Sequence, residues 1–299
     1  MASPDSLLKV SLDELRMQML GTQVAFGFQF QSLFQDRLDL GRLSIQLAAF
    51  VGLAFIVLTL GLLIAAPAIH RIAEGGAATE RMRRLTARSA RAALLTLSIS
   101  LAAALFVAVE TELGLRAAWI AAILAALATT ATWQAWGMLL RQQSARRMGA
   151  NEVSAKLHDK IDYTLTEARV ILPGAQALLG FQLIVILTKS FATLPDHARI
   201  AHFAALACVA LAIALLIAPA AIHRIAFDGD DDDRFLRIAS RIVTSALLPL
   251  SIGVSTELYV AATRLLPGTG APPWTAGIGL CLLLSLWYVV PIALRESAG

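Results

Sequence analysis

The chain has 299 residues, 58% of them hydrophobic and 15% charged, with a mean hydropathy of +0.70. That is more apolar surface than a soluble domain of this length can bury, which excludes a soluble fold and points to a membrane. The net charge of +4 would suit a nucleic-acid binder, but Lys and Arg sit beside the ends of apolar runs, where they orient helices in a bilayer, so no nucleic-acid partner is expected.

In chain order, residues 1–10 read as a short lead-in with no removable signal peptide, the first helix serving as insertion signal. Ser11-Leu12-Asp13-Glu14 has the capping-box form, in which a hydroxyl and a carboxylate satisfy the free amides of a helix start. It predicts a first helix over about 16–34, polar for a span, with Gln18, Thr22, Gln23, Gln29 and Gln31. A second, about 44–69, closes at Pro67, His70 and Arg71. Arg81, Arg84, Arg88 and Arg91 lead into a third, which runs to about 109, and a fourth covers about 117–140 before Arg141, Arg146 and Arg147. Charged residues 141–163 form a cytoplasmic linker.

The second half repeats the plan. Thr164-Leu165-Thr166-Glu167 is again a capping box, and the fifth helix, about 169–191, carries Gln176 and Gln182 with Pro173 in its first turns. The sixth, about 200–222, closes at Pro219, His223 and Arg224. Asp228 and Asp230 to Asp233 lack the spacing and closing Glu of an EF-hand and read as a solvated loop. Arg234, Arg237 and Arg241 precede the seventh helix, about 242–266, and the eighth, about 274–294, ends at Arg295. Trp119, Trp133, Trp136, Trp274, Trp287 and Tyr288 lie towards span ends, as an aromatic belt would. Cys208 and Cys281 sit in apolar segments without paired spacing, so neither a disulfide nor a metal is expected.

Residues 12–99 superpose on 165–252 without a gap, at an offset of 153. Polar identities carry the signal: Glu14 and Glu167, Arg16 and Arg169, Gln23 and Gln176, Gln29 and Gln182, His70 and His223, Arg71 and Arg224, Arg84 and Arg237, Arg88 and Arg241. Gly21, Gly27 and Phe28 recur as Gly174, Gly180 and Phe181. The chain is therefore expected to be an all-α membrane protein with eight transmembrane helices in two parallel four-helix repeats, at 1–140 and 164–299. An even number of spans gives both repeats the same orientation, and the basic ends put both termini in the cytoplasm of a cell-membrane protein. Helices one and five, whose glycines and glutamines recur, are expected at the centre.

Two sets of residues bear on function. Glu14, Arg16, His70, Arg71, Arg84 and Arg88, with their copies Glu167, Arg169, His223, Arg224, Arg237 and Arg241, would gather at one membrane face as cytoplasmic charge clusters. Helix capping and the ordinary preference of His and Arg for helix ends account for the same pattern. Glu257 lies 16 residues beyond Arg241, about 24 Å along a helix, and an acid at that depth is a functional candidate by default. Its copy is Ala104, and Arg264, seven residues on, shares its face. Glu257 with Gln23, Gln176, Gln29 and Gln182 forms the candidate ion or proton pathway.

Each half resembles a small four-helix membrane domain family of unknown function, through Leu12 to Arg16, Gly21-Thr22-Gln23, Gly27-Phe28 and Pro67 to Arg71, and through Leu165 to Arg169, Gly174-Ala175-Gln176, Gly180-Phe181 and Pro219 to Arg224. Such proteins are sometimes labelled sodium:proton antiporters, and the resemblance implies no catalytic or ion-binding residues. The expectation is a membrane protein moving protons or monovalent cations between its repeats, against the alternative of a non-transporting scaffold or accessory subunit. Its partners would be the lipid bilayer and either further copies or other membrane subunits. No nucleophile and base set, metal-ligand spacing or phosphate loop is present, so no enzyme, catalytic residue, metal or cofactor is expected.

Overall fold

The computed structural model describes residues 4–35, 38–73, 80–131, 157–226 and 233–296. Among them every regular element is helical: α1 (Pro4–Ser32), α2 (Leu43–Ile72), α3 (Glu80–Leu113), α4 (Leu115–Thr130), α5 (Leu157–Ile186), α6 (Lys189–Ala192), α7 (Asp196–Ala226), α8 (Asp233–Leu265), α9 (Ala271–Leu284) and α10 (Val290–Glu296). Five segments are long and apolar enough to cross a bilayer: Leu43–Ile72, Arg84–Leu113, Asp196–Ile222, Asp233–Leu265 and Ala271–Arg295. Leu115–Thr130 and Ile171–Ile186 are apolar but shorter, so eight spans are not seen among the described residues. Leu187, Ile200, Phe203, Ile123 and Trp274 point outward, the arrangement of a helix bundle whose surroundings are as apolar as its core.

Each half is built on a helical hairpin, α2 on α3 and α7 on α8, with α4 and α9 packed on the outer arms. The turns between the third and fourth helices of both halves hold a left-handed glycine, Gly114 at φ 83° and Gly268 at φ 74°, a conformation that costs a side-chain-bearing residue about 1 kcal/mol or more. Across the halves α1 lies against α5. A Cβ on Gly27 would sit 1.9 Å from the Phe181 ring, and one on Gly174 would sit 1.3 Å from Gln23 Oε1. Both contacts advance in the same direction along the two helices, so α1 and α5 run parallel.

A π-helical turn, Ser285–Val289, joins α9 to α10. The extra residue of a π turn rotates the side chains that follow it, and Trp287 here enters the core with no exposed surface. Its indole Nε1 donates to the Gly61 carbonyl of α2 at 3.0 Å, while Leu286 occupies the space a Gly61 side chain would need. Trp287 is thus a clasp between halves and not part of an aromatic belt. Trp119 and Trp274 are exposed; Trp133 and Trp136 fall outside the described residues.

Two further expectations change. The capping boxes do not start helices, because α1 begins at Pro4 and α5 at Leu157, about two turns upstream of Ser11 and Thr164. No Gly or Pro intervenes to break either helix, and Pro4 itself suits a first helical position. The lead-in is accordingly helical from Pro4, and Pro173 falls in the middle of α5 instead of its first turns. Of the expected linker at 141–163, residues 157–163 belong to α5, and Asp233 of the acidic run starts α8; residues 141–156 and 228–232 lie outside the described residues.

Candidate functional site

Three helices of the second half bring polar side chains together inside the bundle. Gln182 comes from the end of α5, His202 from the second turn of α7 and Glu257 from the third quarter of α8. None of the three has exposed surface. Gln182 Nε2 donates to Glu257 Oε1 at 2.5 Å, and His202 Nδ1 lies 3.0 Å from the same oxygen and 3.1 Å from Oε2. His202 Nε2 faces the Gln182 carbonyl oxygen at 3.0 Å. Phe30, from the first half, stacks on the imidazole at 6.1 Å between centroids, and Phe191 meets it edge-on at 5.0 Å. The site therefore stands where α1 covers the second half.

Hydrogen-bond arithmetic fixes what this cluster holds. A carbonyl oxygen only accepts, so Nε2 must carry a proton. Nδ1 then faces a carboxylate, and the contact is attractive only with one proton between the two, on Nδ1 as an ion pair or on Glu257 as a neutral pair. Both forms have zero net charge, which suits a site without water contact. Removing that proton sets a carboxylate against a ring lone pair; adding one leaves a buried cation. Gln182 Oε1 and, two residues before Glu257, Ser255 Oγ are buried without a hydrogen-bond partner among the described residues.

The first half builds something else on the same frame. At the offset of 153, His202 corresponds to Ala49 and Glu257 to Ala104. Gln29, the copy of Gln182, donates to Ser100 Oγ at 2.9 Å, and Ser100 in turn donates to the Gly52 carbonyl at 2.9 Å. Ser100 and Gly52 correspond to Gly253 and Ala205, and a Cβ on Gly253 would lie 3.2 Å from the Ala205 carbonyl. One small residue in each hairpin keeps the helices close, and at this position of the frame the His and Glu occur in the second half and two alanines in the first.

Of the other pathway candidates, Gln23 is buried against Gly174 with its Oε1 lacking a hydrogen-bond partner among the described residues, whereas Gln176 is exposed. Arg264 does not pair with Glu257: its Nε donates to the Leu33 carbonyl at 3.5 Å and its Nη2 to Ser190 Oγ at 3.3 Å. At the other end of the bundle His70 and Arg71 are buried, and Arg71 Nε donates to Thr244 Oγ1 of α8 at 2.9 Å, a second tie between halves. Arg84, Arg88, Arg169, Arg237 and Arg241 are exposed. The side chains of Glu14, Arg16, Glu167, His223 and Arg224 lie outside the described residues. No group of three or more His, Cys, Asp or Glu is placed to hold a metal among the described residues.

Sequence reasoning misses His202. A signal for it exists, since a histidine interrupts an apolar helix at a position where the other copy has alanine, and Glu257 shows the same departure from its copy. Two polar residues that break a repeat together are candidates for contact.

The chain matches the model of a family of unknown function (DUF6328) twice, at residues 6–137 and 152–291. It belongs to that family, as two tandem copies of its domain. No curated protein and no solved structure matches it.

Proposed function

Taking two tandem copies of this domain as the premise, we propose that the chain is an eight-span cell-membrane protein, both termini cytoplasmic, that moves protons across the bilayer through the His202–Glu257 pair of its second repeat. The observation that carries this reading is the buried, hydrogen-bonded Glu257–His202–Gln182 cluster inside apolar helices, whose geometry is satisfied with one proton between the carboxylate and the imidazole. A proton suits the site better than sodium or potassium. A metal cation needs about six oxygen ligands in a shell, and the cluster offers two carboxylate oxygens already engaged and one amide oxygen. An ionisable pair at this depth is costly to keep for packing alone, because an apolar pair of similar volume serves a core at least as well.

The competing reading, a scaffold without transport, draws on the first half, where Gln29, Ser100 and Gly52 make a fixed network without a titratable group. In the favoured reading the first repeat supports the second, covering its site with Phe30 and anchoring Arg264 on Leu33.

Reconstituted into proteoliposomes with an imposed pH gradient, the full chain should dissipate that gradient. Glu257→Gln and His202→Gln should each lower the flux at least tenfold, since neither variant holds the shared proton. No movement of protons under any imposed gradient sinks the transport reading in favour of the scaffold; flux unchanged in both variants removes the site from it.

A further inference from the structure

A pocket of about 530 Å³ opens at the ends of α7 and α8 nearest the α6–α7 and α8–α9 connections. Its basic side chains are Arg264 and His197, its hydroxyl groups include those of Tyr259 and Thr263, and prolines of both connections form an apolar wall. No carboxylate is among its lining residues. Arg264 is tethered by its long bonds to Leu33 and Ser190, which leave Nη1 without a hydrogen bond among the described residues. The volume lies within the range of pockets that hold small molecules.

The corresponding place in the first half is filled by the chain itself. Glu110 stands where the second half has Thr263, and Ser44 where it has His197. Ser44 Oγ donates to Glu110 Oε1 at 2.5 Å, and Arg42 Nη1 reaches the Glu110 carbonyl at 3.3 Å. Glu110 is only 3% exposed. The second half has lost that carboxylate and gained Arg264, whose first-half copy is Thr111, and His197. A cavity with two basic groups thus occupies the position where its twin holds a carboxylate.

We infer that this pocket binds a small monocarboxylate, its carboxyl group between Arg264 and His197 and its apolar part against the prolines. Guanidinium groups recognise carboxylates through directed, charge-assisted hydrogen bonds, and the Tyr259 hydroxyl in the lining offers a further donor, whereas the Thr263 hydroxyl donates to the Tyr259 carbonyl. The inference uses none of the residues of the buried pair and its test reads binding, so it stands or falls apart from the transport reading.

Benzoate and propionate serve as probes on the full chain in uncharged detergent, with saturation transfer to the ligand read by NMR and thermal stability read in parallel. Both carboxylates should bind and raise the melting temperature, and inorganic phosphate at equal ionic strength should not displace them. Arg264→Gln should weaken binding at least tenfold. Thr263→Glu rebuilds the first-half arrangement, so it should weaken binding as much while leaving the melting temperature of the free protein equal or higher; it carries the test if Arg264→Gln does not fold. Absence of saturation transfer, displacement by phosphate as by benzoate, or full binding in Thr263→Glu overturns the inference.

Discussion

At the scale of single residues, the buried pair is held by mutual dependence. His202 and Glu257 each satisfy the other out of reach of water, and removing one partner of such a pair costs about 3–5 kcal/mol because the survivor keeps its desolvation penalty. His202→Ala should therefore destabilise the protein strongly. The double variant His202→Ala with Glu257→Ala reproduces the Ala49 and Ala104 of the first half, where the same hairpin packs without a titratable group at these two positions. It should be more stable than His202→Ala alone, with a coupling of about 1 kcal/mol or more. Thermal unfolding of His202→Ala, Glu257→Ala and the double variant in detergent reads the coupling, and a loss in the double variant equal to the sum of the two single losses would mean that the contact contributes nothing to either partner. Half of this site is legible in the sequence. Glu257 stands out as an intramembrane acid and Gln182 as a recurring glutamine, but depth along one helix says nothing about which residue of another helix faces it. Spacing on one helix therefore points to Arg264 as the partner of Glu257, where the fold supplies His202 from another.

At the scale of elements, α1 and α5 show how a duplicated motif comes to be used once. Gly27 and Gly174 sit under Phe181 and Gln23, yet a Cβ added to their counterparts Gly180 and Gly21 would meet nothing within 4 Å. The repeat predicts two pairs of equivalent glycines, Gly21 with Gly174 and Gly27 with Gly180, and the packing distinguishes the members of each pair, because only one of each lies against the neighbouring helix. Gly27→Ala and Gly174→Ala should each lower stability by about 1–3 kcal/mol through forced displacement of the neighbouring side chain. Gly21→Ala and Gly180→Ala should be neutral or stabilising by up to about 1 kcal/mol, since alanine favours a helix. Melting temperatures of the four variants decide the matter, and equal losses in all four would mean that the helices approach differently. The capping boxes mislead for a related reason. A Ser-x-x-Glu pattern fits a helix start, but it also fits a helix interior when nothing upstream breaks the chain, and only the helix itself reveals where its first turn lies.

At the scale of the whole molecule, the two halves are joined by contacts from both ends of the bundle. Arg71 bonds Thr244 at one end, Arg264 bonds Leu33 at the other, and Trp287 reaches Gly61 between them. Parallel contact of α1 with α5 requires equivalent ends of the two repeats to lie on the same side. The exposed arginines at the starts of α3 and α8 then share one membrane face, and the pocket around His197 and Arg264 opens on the other. Basic residues are retained on the cytoplasmic side, so the pocket should face outward. With Cys208 and Cys281 replaced by alanine, single cysteines introduced as Thr193→Cys and Thr269→Cys should react with a membrane-impermeant thiol reagent applied to intact cells. Arg88→Cys and Arg241→Cys should react only after the membrane is opened. The opposite pattern would invert the protein in the membrane, and labelling of Arg88→Cys and Arg241→Cys from opposite sides would break the parallel arrangement itself, since those two positions are copies of one another in the two repeats.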